Sequence, residues 1–313
     1  MISPDADSPV SDAWIVARRP PKNAVQPDRP YAFLHEQEPD RHGRLLDVAT
    51  IFLTNRECPF KCLMCDLWKN TLDEPLPPGI IPRQITHALK ALPPVQAVKL
   101  YNSGNFFDAK AIPPADDDSI AQLMAPFAQV IVECHPKMIG DRCFRWAQML
   151  EPDLQVAIGL ETAHADTLKK LNKHMTLQDF ERATERLIKR GISVRAFVLL
   201  RPPFMTEAQG LQWAKASVEF AFDVGGECCA IIPTRAGNGA MEELKKAGLF
   251  GEPTLDSLEE AFDHGLSLRR GRVFVDLWDL ENGQGDHCQK ARIQRLARMN
   301  RTQTVEPRVD TRS

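Results

Sequence analysis

Three cysteines stand close together in the loop that follows the first predicted strand of this chain. Cys58, Cys62 and Cys65 form a Cys-x3-Cys-x2-Cys pattern. Iron–sulfur clusters are held by thiolates, which are soft anionic ligands. Three thiolates would leave one iron of a [4Fe–4S] cluster without a protein ligand, so that a small chelating molecule could bind there. The pattern therefore predicts a cluster with one open corner.

Other interpretations of the cysteines stay open at this point. A structural zinc site usually has four ligands, often two Cys-x2-Cys pairs, and the sequence has no second pair. A zinc-stabilised binding module and a non-catalytic iron–sulfur redox sensor are the alternatives from other classes. Cys228 and Cys229 lie in an apolar predicted strand, where a buried cysteine packs as a small hydrophobic residue, and Cys143 fits a helix. For Cys288 two interpretations stay open: it has no special role, or it reaches the active face as a ligand or hydrogen-atom donor.

Short apolar runs alternate with helical patterns from residue 48 onward. The predicted strands cover residues 48–53, 97–101, 130–133, 156–160, 194–200 and 229–232, and the main predicted helices cover residues 83–91, 140–150, 177–190 and 206–222. This alternation is typical of a parallel sheet with right-handed crossovers. It predicts an α/β fold with a partial barrel of about six units; a doubly wound open sheet is the alternative. In a barrel, a loop that follows a strand lies on the face where active sites gather.

The cysteine pattern in this position resembles that of the radical S-adenosylmethionine (SAM) superfamily. The resemblance implies a partial (β/α)6 TIM-like barrel and an enzyme that binds a [4Fe–4S] cluster and SAM. In that family the open iron takes the amino and carboxylate groups of SAM. An electron from the cluster cleaves the C5′–S bond, and the 5′-deoxyadenosyl radical abstracts hydrogen from the substrate. Met64 departs from the family pattern, which commonly has an aromatic residue before the third cysteine.

The resemblance also implies a SAM site on the later strands. Ser103, Gly104 and Asn105 resemble the Gly-rich turn that contacts the amino group of SAM, and an ordinary turn is the alternative. Glu161 ends a strand whose residues alternate between two faces. By resemblance it hydrogen-bonds the ribose hydroxyls of SAM; a carboxylate that caps a helix near Ala163 is the alternative.

Further polar residues of the predicted strands need partners. Arg195 carries a charge inside a strand, which is costly unless the charge is paired. The SAM carboxylate or Glu161 would serve, and so would a plain salt bridge to another acid of the barrel. Glu133 and His135 share one face at the end of a strand, where they either contact substrate or form a polar lining. No residue is assigned as catalytic for the reaction on the substrate.

Three stretches of the sequence, residues 99–108, 156–162 and 199–207, resemble those of archaeosine-forming radical SAM enzymes. These enzymes belong to the branch that includes MiaB, NifB and the catalytic subunit of Elongator, and the resemblance extends from about residue 47 to about residue 300. It implies a modified tRNA nucleoside as the substrate and an electron donor such as a flavodoxin or ferredoxin. A small molecule or a peptide as substrate stays open, because fold and cofactor sites do not determine the substrate.

The 313 residues divide into three predicted parts. Residues 1–46, rich in proline and charge, are expected to form an extended or partly disordered arm. Residues 47–235 are the expected radical SAM core, and residues 236–313 an α/β extension that completes the barrel or the substrate site. The sequence has no apolar run long enough for a membrane span and no signal-peptide pattern at its N-terminus, so a cytoplasmic location without membrane contact is expected. The oligomeric state is open.

The charge pattern bears on nucleic-acid binding. The net charge of −3 gives no overall attraction to phosphates. Arginines recur every third residue near the C-terminus, at positions 292, 295, 298 and 301. On a helix they would give a basic stripe that binds phosphates, or a face that is solvated or paired with acids of the domain. Trp68 and Trp278 could stack on a base or pack in the core.

Overall fold

A computed structural model describes residues 10–281 and 286–309 of the chain. Eight strands form one sheet in chain order: β1 (Ala32–Pro39), β2 (Leu45–Phe52), β3 (Ala97–Tyr101), β4 (Gln129–Glu133), β5 (Asp153–Glu161), β6 (Ser193–Leu200), β7 (Cys228–Pro233) and β8 (Arg272–Val275). β1 is antiparallel to β2, and every later neighbouring pair is parallel. A doubly wound sheet reverses its strand order at a switch point. The continuous order found here confirms the predicted partial barrel.

Most helices follow the parallel strands and cover the outer face of the sheet. The helix bounds are α1 (Asp12–Val16), α2 (Ile80–Ala91), α3 (Asp117–Met124), α4 (Asp141–Met149), α5 (Ala165–Lys170), α6 (Leu177–Ile188), α7 (Glu207–Asp223), α8 (Ala240–Lys246), α9 (Leu255–Ser267), α10 (Trp278–Glu281) and α11 (His287–Thr302). Helix α1 instead precedes β1 and packs with α8 in a separate apolar cluster. Sequence signals explain where the long helices begin. Thr176 with Asp179, and Thr206 with Gln209, form capping boxes at the starts of α6 and α7.

The strands separate an apolar outer face from a polar interior. In β6, Val194, Ala196 and Val198 belong to the main apolar core. Arg195 lies between them in the sequence and so points to the opposite face, because side chains alternate along a strand. There it contacts Glu38 of β1. The same alternation places the polar groups of the parallel strands inside the barrel, where they can reach one another.

One buried acid joins distant strands at the end of the barrel opposite the cysteine loop. Glu38 of β1 accepts from Lys99 of β3 at 2.5 Å, from Arg195 of β6 and, at 3.4 Å, from Arg272 of β8. Burial alone would raise the pKa of Glu38, but the charges of Arg195 and Lys99 outweigh it and hold that pKa well below its usual range. The carboxylate therefore stays charged and holds the curved sheet together across its interior.

The arm predicted for residues 1–46 is more regular than expected over its described part. Residues 10–46 contain α1 and β1, and β1 pairs with β2 along its whole length. The sequence pattern missed β1 because charged residues of this strand face the barrel interior, so that the strand lacks an apolar face. Residues 1–9 lie outside the described part of the chain. The boundaries given for the three parts stay predictions.

The C-terminal part adds β8 to the sheet and contributes helices α9 and α11, in agreement with the expected α/β extension. Three of the four arginines of the stripe on α11 are paired with acids within the chain. Arg292 contacts Glu259 at 2.7 Å, Arg295 contacts Asp263 at 2.7 Å, and Arg298 contacts Glu306 at 2.8 Å. The alternative, arginines paired with acids of the domain, is the one that forms. Among the described residues, no helix has the length and apolar character needed to cross a membrane.

Candidate functional site

A cavity of about 240 Å³ opens at the carboxyl ends of the parallel strands. It brings together eight residues singled out from the sequence: Cys58, Cys62, Cys65, Ser103, Gly104, Asn105, Glu133 and His135. Its apolar wall comes from β6 and β7 and includes Phe197, Leu199 and Ile232. The three cysteines and the turn after β3 thus face one space, as the barrel interpretation requires.

The three cysteines are partly buried. Burial raises the pKa of Cys58 to about 11 and those of Cys62 and Cys65 to about 12. Thiols in such surroundings stay protonated unless a metal takes the place of the proton. Over residues 10–281 and 286–309, no three His, Cys, Asp or Glu side chains converge as ligands of a single metal ion. A cluster of four irons takes its thiolates at separate corners, which requires a wider spacing than the ligands of one ion.

The loop that carries the cysteines is held from both sides. Asn238, in the turn before α8, donates its side-chain amide to the carbonyls of Leu63 and Cys65, at 2.8 Å and 3.1 Å. The Leu63 amide donates to the Leu171 carbonyl at 2.9 Å. The indole N–H of Trp68 donates to the Cys65 carbonyl at 3.1 Å, and the side chain is buried. Of the two roles considered for Trp68, packing in the core is therefore the one that the structure shows. Trp278 is 55% exposed and does not line the cavity.

The turn after β3 lies directly against the cysteine loop. A side chain at Gly104 would place its Cβ 3.2 Å from that of Cys58, so glycine permits the close approach. The amides of Asn102 and Gly104 donate to the Glu133 carboxylate at 2.7 Å and 3.2 Å. Burial raises the pKa of Glu133 and outweighs the effect of these amides. Glu133 therefore shapes the turn as well as lining the cavity.

Asn105 uses both ends of its side-chain amide. Its Nδ2 donates to Cys58 Sγ at 3.2 Å, and its Oδ1 accepts from the backbone amide of His135 at 2.6 Å. Ser103 donates through its hydroxyl to the Tyr31 hydroxyl at 3.0 Å. The turn predicted to contact SAM is thus fixed by bonds to three other segments of the chain.

Glu161 forms a buried ion pair that the sequence analysis missed. Lys173 Nζ lies 2.5 Å from Glu161 Oε1, and the pair lies across Gly159, where a Cβ would overlap both groups. Burial alone would lower the pKa of Lys173, but the charge of Glu161 outweighs it and raises that pKa. Lys173 lies between two residues in the left-handed region, Asn172 (φ 53°) and His174 (φ 56°). Of these, only the asparagine is a usual sequence signal for such a turn.

His135 is neutral and fully engaged. Its ring stacks on Phe60 with a centroid distance of 3.9 Å, and its Nε2 lies 2.8 Å from the carbonyl of Lys173. A carbonyl only accepts, so Nε2 carries the hydrogen and Nδ1 accepts from the Lys137 amide at 3.2 Å. Burial and the charge of Lys173 lower the pKa of His135 to about 3. The residue lines the cavity and positions the Lys173 turn.

Three residues singled out from the sequence, Glu161, Arg195 and Cys288, do not line the cavity. Glu161 is ion-paired with Lys173, which does line it. Arg195 contacts Glu38 and, at 2.9 Å, the Gln155 side chain; the predicted pairing with Glu161 is wrong because Lys173 occupies that carboxylate. The plain salt bridge to another barrel acid is the alternative that forms. Cys288 lies in the first turn of α11 and is not among the residues that line the cavity.

Comparisons with known proteins agree with the resemblance predicted from the sequence. The chain is 31% identical to archaeosine synthase subunit beta of Thermococcus kodakarensis over 128 residues, which cover 39% of this chain and 40% of that protein. The chain is similar to archaeosine synthase beta subunits. It is 25% identical to the Methanosarcina acetivorans subunit over 208 residues, 64% of this chain and 60% of that protein. The predicted resemblance is thereby confirmed, over part of the relatives' length.

Three further comparisons, with a curated protein, with solved structures and with family profiles, add no function. An uncharacterized protein of Methanocaldococcus jannaschii is 23% identical over 279 residues, 82% of this chain and 76% of that protein. Among solved structures, Elp3 of Methanocaldococcus infernus matches with a TM-score of 0.49 at 16% identity, covering 61% of this chain and 50% of that one. No protein-family profile matches the chain.

Proposed function

We propose that this chain is a radical SAM enzyme in which Cys58, Cys62 and Cys65 hold a [4Fe–4S] cluster. The observation that carries the proposal is that these three partly buried cysteines line one cavity at the carboxyl ends of a partial barrel. When bound, the cluster supplies the electron that cleaves SAM to a 5′-deoxyadenosyl radical. His135 also lines the cavity, but both of its ring nitrogens are engaged. The three thiols thus fit a cluster with an open corner.

The polar groups of the cavity would orient SAM. We assign the amino group of SAM to the turn formed by Ser103, Gly104 and Asn105, and its ribose to Glu161, as the resemblance implies. The SAM carboxylate, which was first expected to meet Arg195, is assigned to Lys173. The ammonium of Lys173 is buried, charged and close to the cysteines, whereas Arg195 does not line the cavity. The apolar wall of β6 and β7 would exclude water from the reacting groups.

Anaerobic reconstitution with iron and sulfide, followed by SAM and dithionite, tests this proposal. We expect brown protein that forms 5′-deoxyadenosine, measured by mass spectrometry. Cys58→Ala, Cys62→Ala or Cys65→Ala should abolish the product, because the cluster loses a ligand. Cys143→Ala is the matched control, since Cys143 is buried in α4 away from the cavity. Colourless protein with stoichiometric zinc would identify a zinc module, and a cluster without product would identify a redox sensor.

We further propose a modified tRNA nucleoside as the substrate, with a second protein subunit as partner. The support is the printed name of two relatives, archaeosine synthase subunit beta. Because Arg292, Arg295 and Arg298 are paired within the chain, other cations or the partner would have to bind the tRNA phosphates. Mass spectrometry of tRNA nucleosides from a deletion strain tests this. An unchanged nucleoside profile would favour the alternative, a small molecule or peptide.

The electron would come from a protein such as a flavodoxin or ferredoxin, docked outside the cysteine loop. A second cavity, of about 430 Å³, lies there, and Cys58 is the one proposed ligand that lines both cavities. SAM and substrate would fill the inner cavity, so the outer cleft is left for the donor. Three cationic and three acidic side chains line this outer cleft. Arg19 and Lys22 lie beside it, ion-paired with Glu57, so that five cations and three acids surround the cleft in total. An acidic donor would be attracted.

Charge reversal in this outer cleft separates donor docking from SAM cleavage. Lys110→Glu should slow product formation with a flavodoxin or ferredoxin at low salt and leave the dithionite-driven reaction unchanged, because dithionite does not need to dock. Lys189→Glu is the control, since Lys189 is exposed at the end of α6. Equal rates for Lys110→Glu and wild type with the protein donor would contradict this docking surface.

A further inference from the structure

A hydrogen bond to one of the three thiols distinguishes it from the other two. Asn105 donates its side-chain N–H to Cys58 Sγ at 3.2 Å, and Asn105 is 1% exposed. Among the described residues, Cys62 and Cys65 receive no side-chain hydrogen bond of this kind that the structure shows. The turn that carries Asn105 was expected to contact SAM, yet this side chain is directed at a proposed cluster ligand.

The orientation of the Asn105 amide is determined by its other end. A backbone N–H can only donate, so the His135 amide, 2.6 Å away, requires the oxygen of Asn105 on its side. The nitrogen must then face Cys58. The backbone of Asn105 is fixed as well, because its carbonyl accepts from the Asp108 amide at 3.1 Å and the next amide, of Phe106, donates to Glu133 O at 2.9 Å.

An N–H bond to a ligating sulfur changes the redox balance of an iron–sulfur cluster. The positive end of the N–H dipole stabilises negative charge on the sulfur, and the reduced cluster carries one more negative charge than the oxidised one. Hydrogen bonds to the sulfurs are among the factors that set the reduction potential of such clusters. In a buried site this effect is little screened by water.

We propose that Asn105 raises the reduction potential of the cluster by donating to Cys58 Sγ, and so makes its one-electron reduction easier. This inference rests on the proposed function. The step transfers one electron from the donor to the cluster and makes or breaks no covalent bond. The Lys173 charge also acts on the cysteines, Cys58 included. Asn105 adds a neutral dipole aimed at Cys58 Sγ alone.

A potentiometric titration of the reconstituted protein, followed by electron paramagnetic resonance without SAM, tests the inference. Asn105→Leu has a similar size and removes the donor. We expect the midpoint reduction potential of this variant to be lower than that of the wild type. At the wild-type midpoint potential, the ratio of oxidised to reduced cluster should rise about tenfold, which is equivalent to a shift of 59 mV for a one-electron couple. Asn102→Leu is the matched control, because Asn102 is buried in the same turn and no hydrogen bond of its side-chain amide is found within the described residues. Its midpoint should stay at the wild-type value.

Two further measurements decide the matter if Asn105→Leu does not hold a cluster. Asn105→Asp keeps the oxygen that accepts from His135 but replaces the N–H by a carboxylate oxygen, so its midpoint should also fall. In the wild-type protein, nuclear–electron double resonance should show a proton near the reduced cluster that exchanges with D2O and is missing in the Asp variant. Midpoints that stay at or above the wild-type value, or the lack of such a proton in wild type, would overturn the inference. Failure of the proposed function would look different, because no cluster or no 5′-deoxyadenosine would form.

Discussion

At the scale of single residues, Gly159 determines whether the ion pair beside the cysteines can form. Because the Glu161–Lys173 pair occupies the space where its Cβ would lie, Gly159→Ala should displace both side chains. We expect SAM binding to weaken by about tenfold or more, the equivalent of one lost charged hydrogen bond, while the cluster still assembles. Equilibrium dialysis with SAM and iron analysis measure the two effects.

Gly140→Ala is the control for this change. No atom lies within 4 Å of an added Cβ at Gly140, which does not have a left-handed backbone conformation. It should bind SAM like the wild type. If Gly159→Ala also binds SAM with wild-type affinity, the ion pair does not take part in the SAM site.

His135 should make the folded state sensitive to mild acid. Its pKa is about 3 in the folded protein, because of burial and the charge of Lys173, whereas an exposed histidine titrates near 6.5. Between these values the unfolded chain binds a proton that the folded chain does not. The contribution is therefore complete above pH 6.5 and is lost as the pH falls, by about 1.4 kcal/mol per pH unit or about 2 kcal/mol at pH 5.

Urea denaturation of the metal-free protein at pH 7 and pH 5 measures this loss. In His135→Gln the corresponding part of the pH dependence should vanish, because the amide has no proton to gain in this range. The remaining slope then comes from acids elsewhere in the chain. Identical pH dependence in wild type and His135→Gln would show that His135 is already solvated in the folded state.

At the scale of the elements, the strand–helix alternation could be predicted because apolar residues dominate the parallel strands. β1 could not, since its interior residues, such as Glu38, find partners only in strands far along the chain. For the same reason the sequence did not identify the partner of Arg195, which is Glu38, 157 residues away. The cysteine loop was predictable because its three cysteines, the proposed ligands, are close together in the sequence. Lys173 was not, because a lysine in a short turn gives no sign that it will be buried.

Glu38 should be the most costly of the interior acids to remove. Glu38→Gln deprives Arg195 of its acidic partner in the barrel, whereas Lys99 and Arg272 keep Glu36 and Glu227. Breaking a buried ion pair from one side typically costs 3–5 kcal/mol, so the free energy of unfolding should fall by about that amount. Urea denaturation at pH 7 provides the measurement.

Asp47→Asn offers a comparison within the same sheet. Asp47 pairs with His35 on the exposed side of β1 and β2, with about a third of each side chain accessible to solvent. Its loss should cost about 1 kcal/mol or less, as for other surface pairs. Equal stability of Glu38→Gln and Asp47→Asn would mean that water reaches the interior network.

At the scale of the whole molecule, the proposed SAM site depends on segments from most of the chain. Val10 and Ile15 pack with Leu63 of the cysteine loop and with Met241 and Leu244 of α8 in a second apolar cluster. The N-terminal segment therefore forms part of the support for the ligands. This explains why the predicted arm is ordered: its apolar residues have a partner surface that is assembled only when the barrel has formed.

The hydrogen bonds from Asn238 to the Leu63 and Cys65 carbonyls can form only late in biosynthesis. Cys65, a proposed ligand, leaves the ribosome 173 residues before Asn238, whose side chain holds the Cys65 carbonyl. Until β7 and the turn after it have been made, the thiols lack the support that gives their loop its shape. A nascent chain therefore presents three reactive sulfurs before it can protect a cluster, and cofactor delivery is best placed after translation of the barrel.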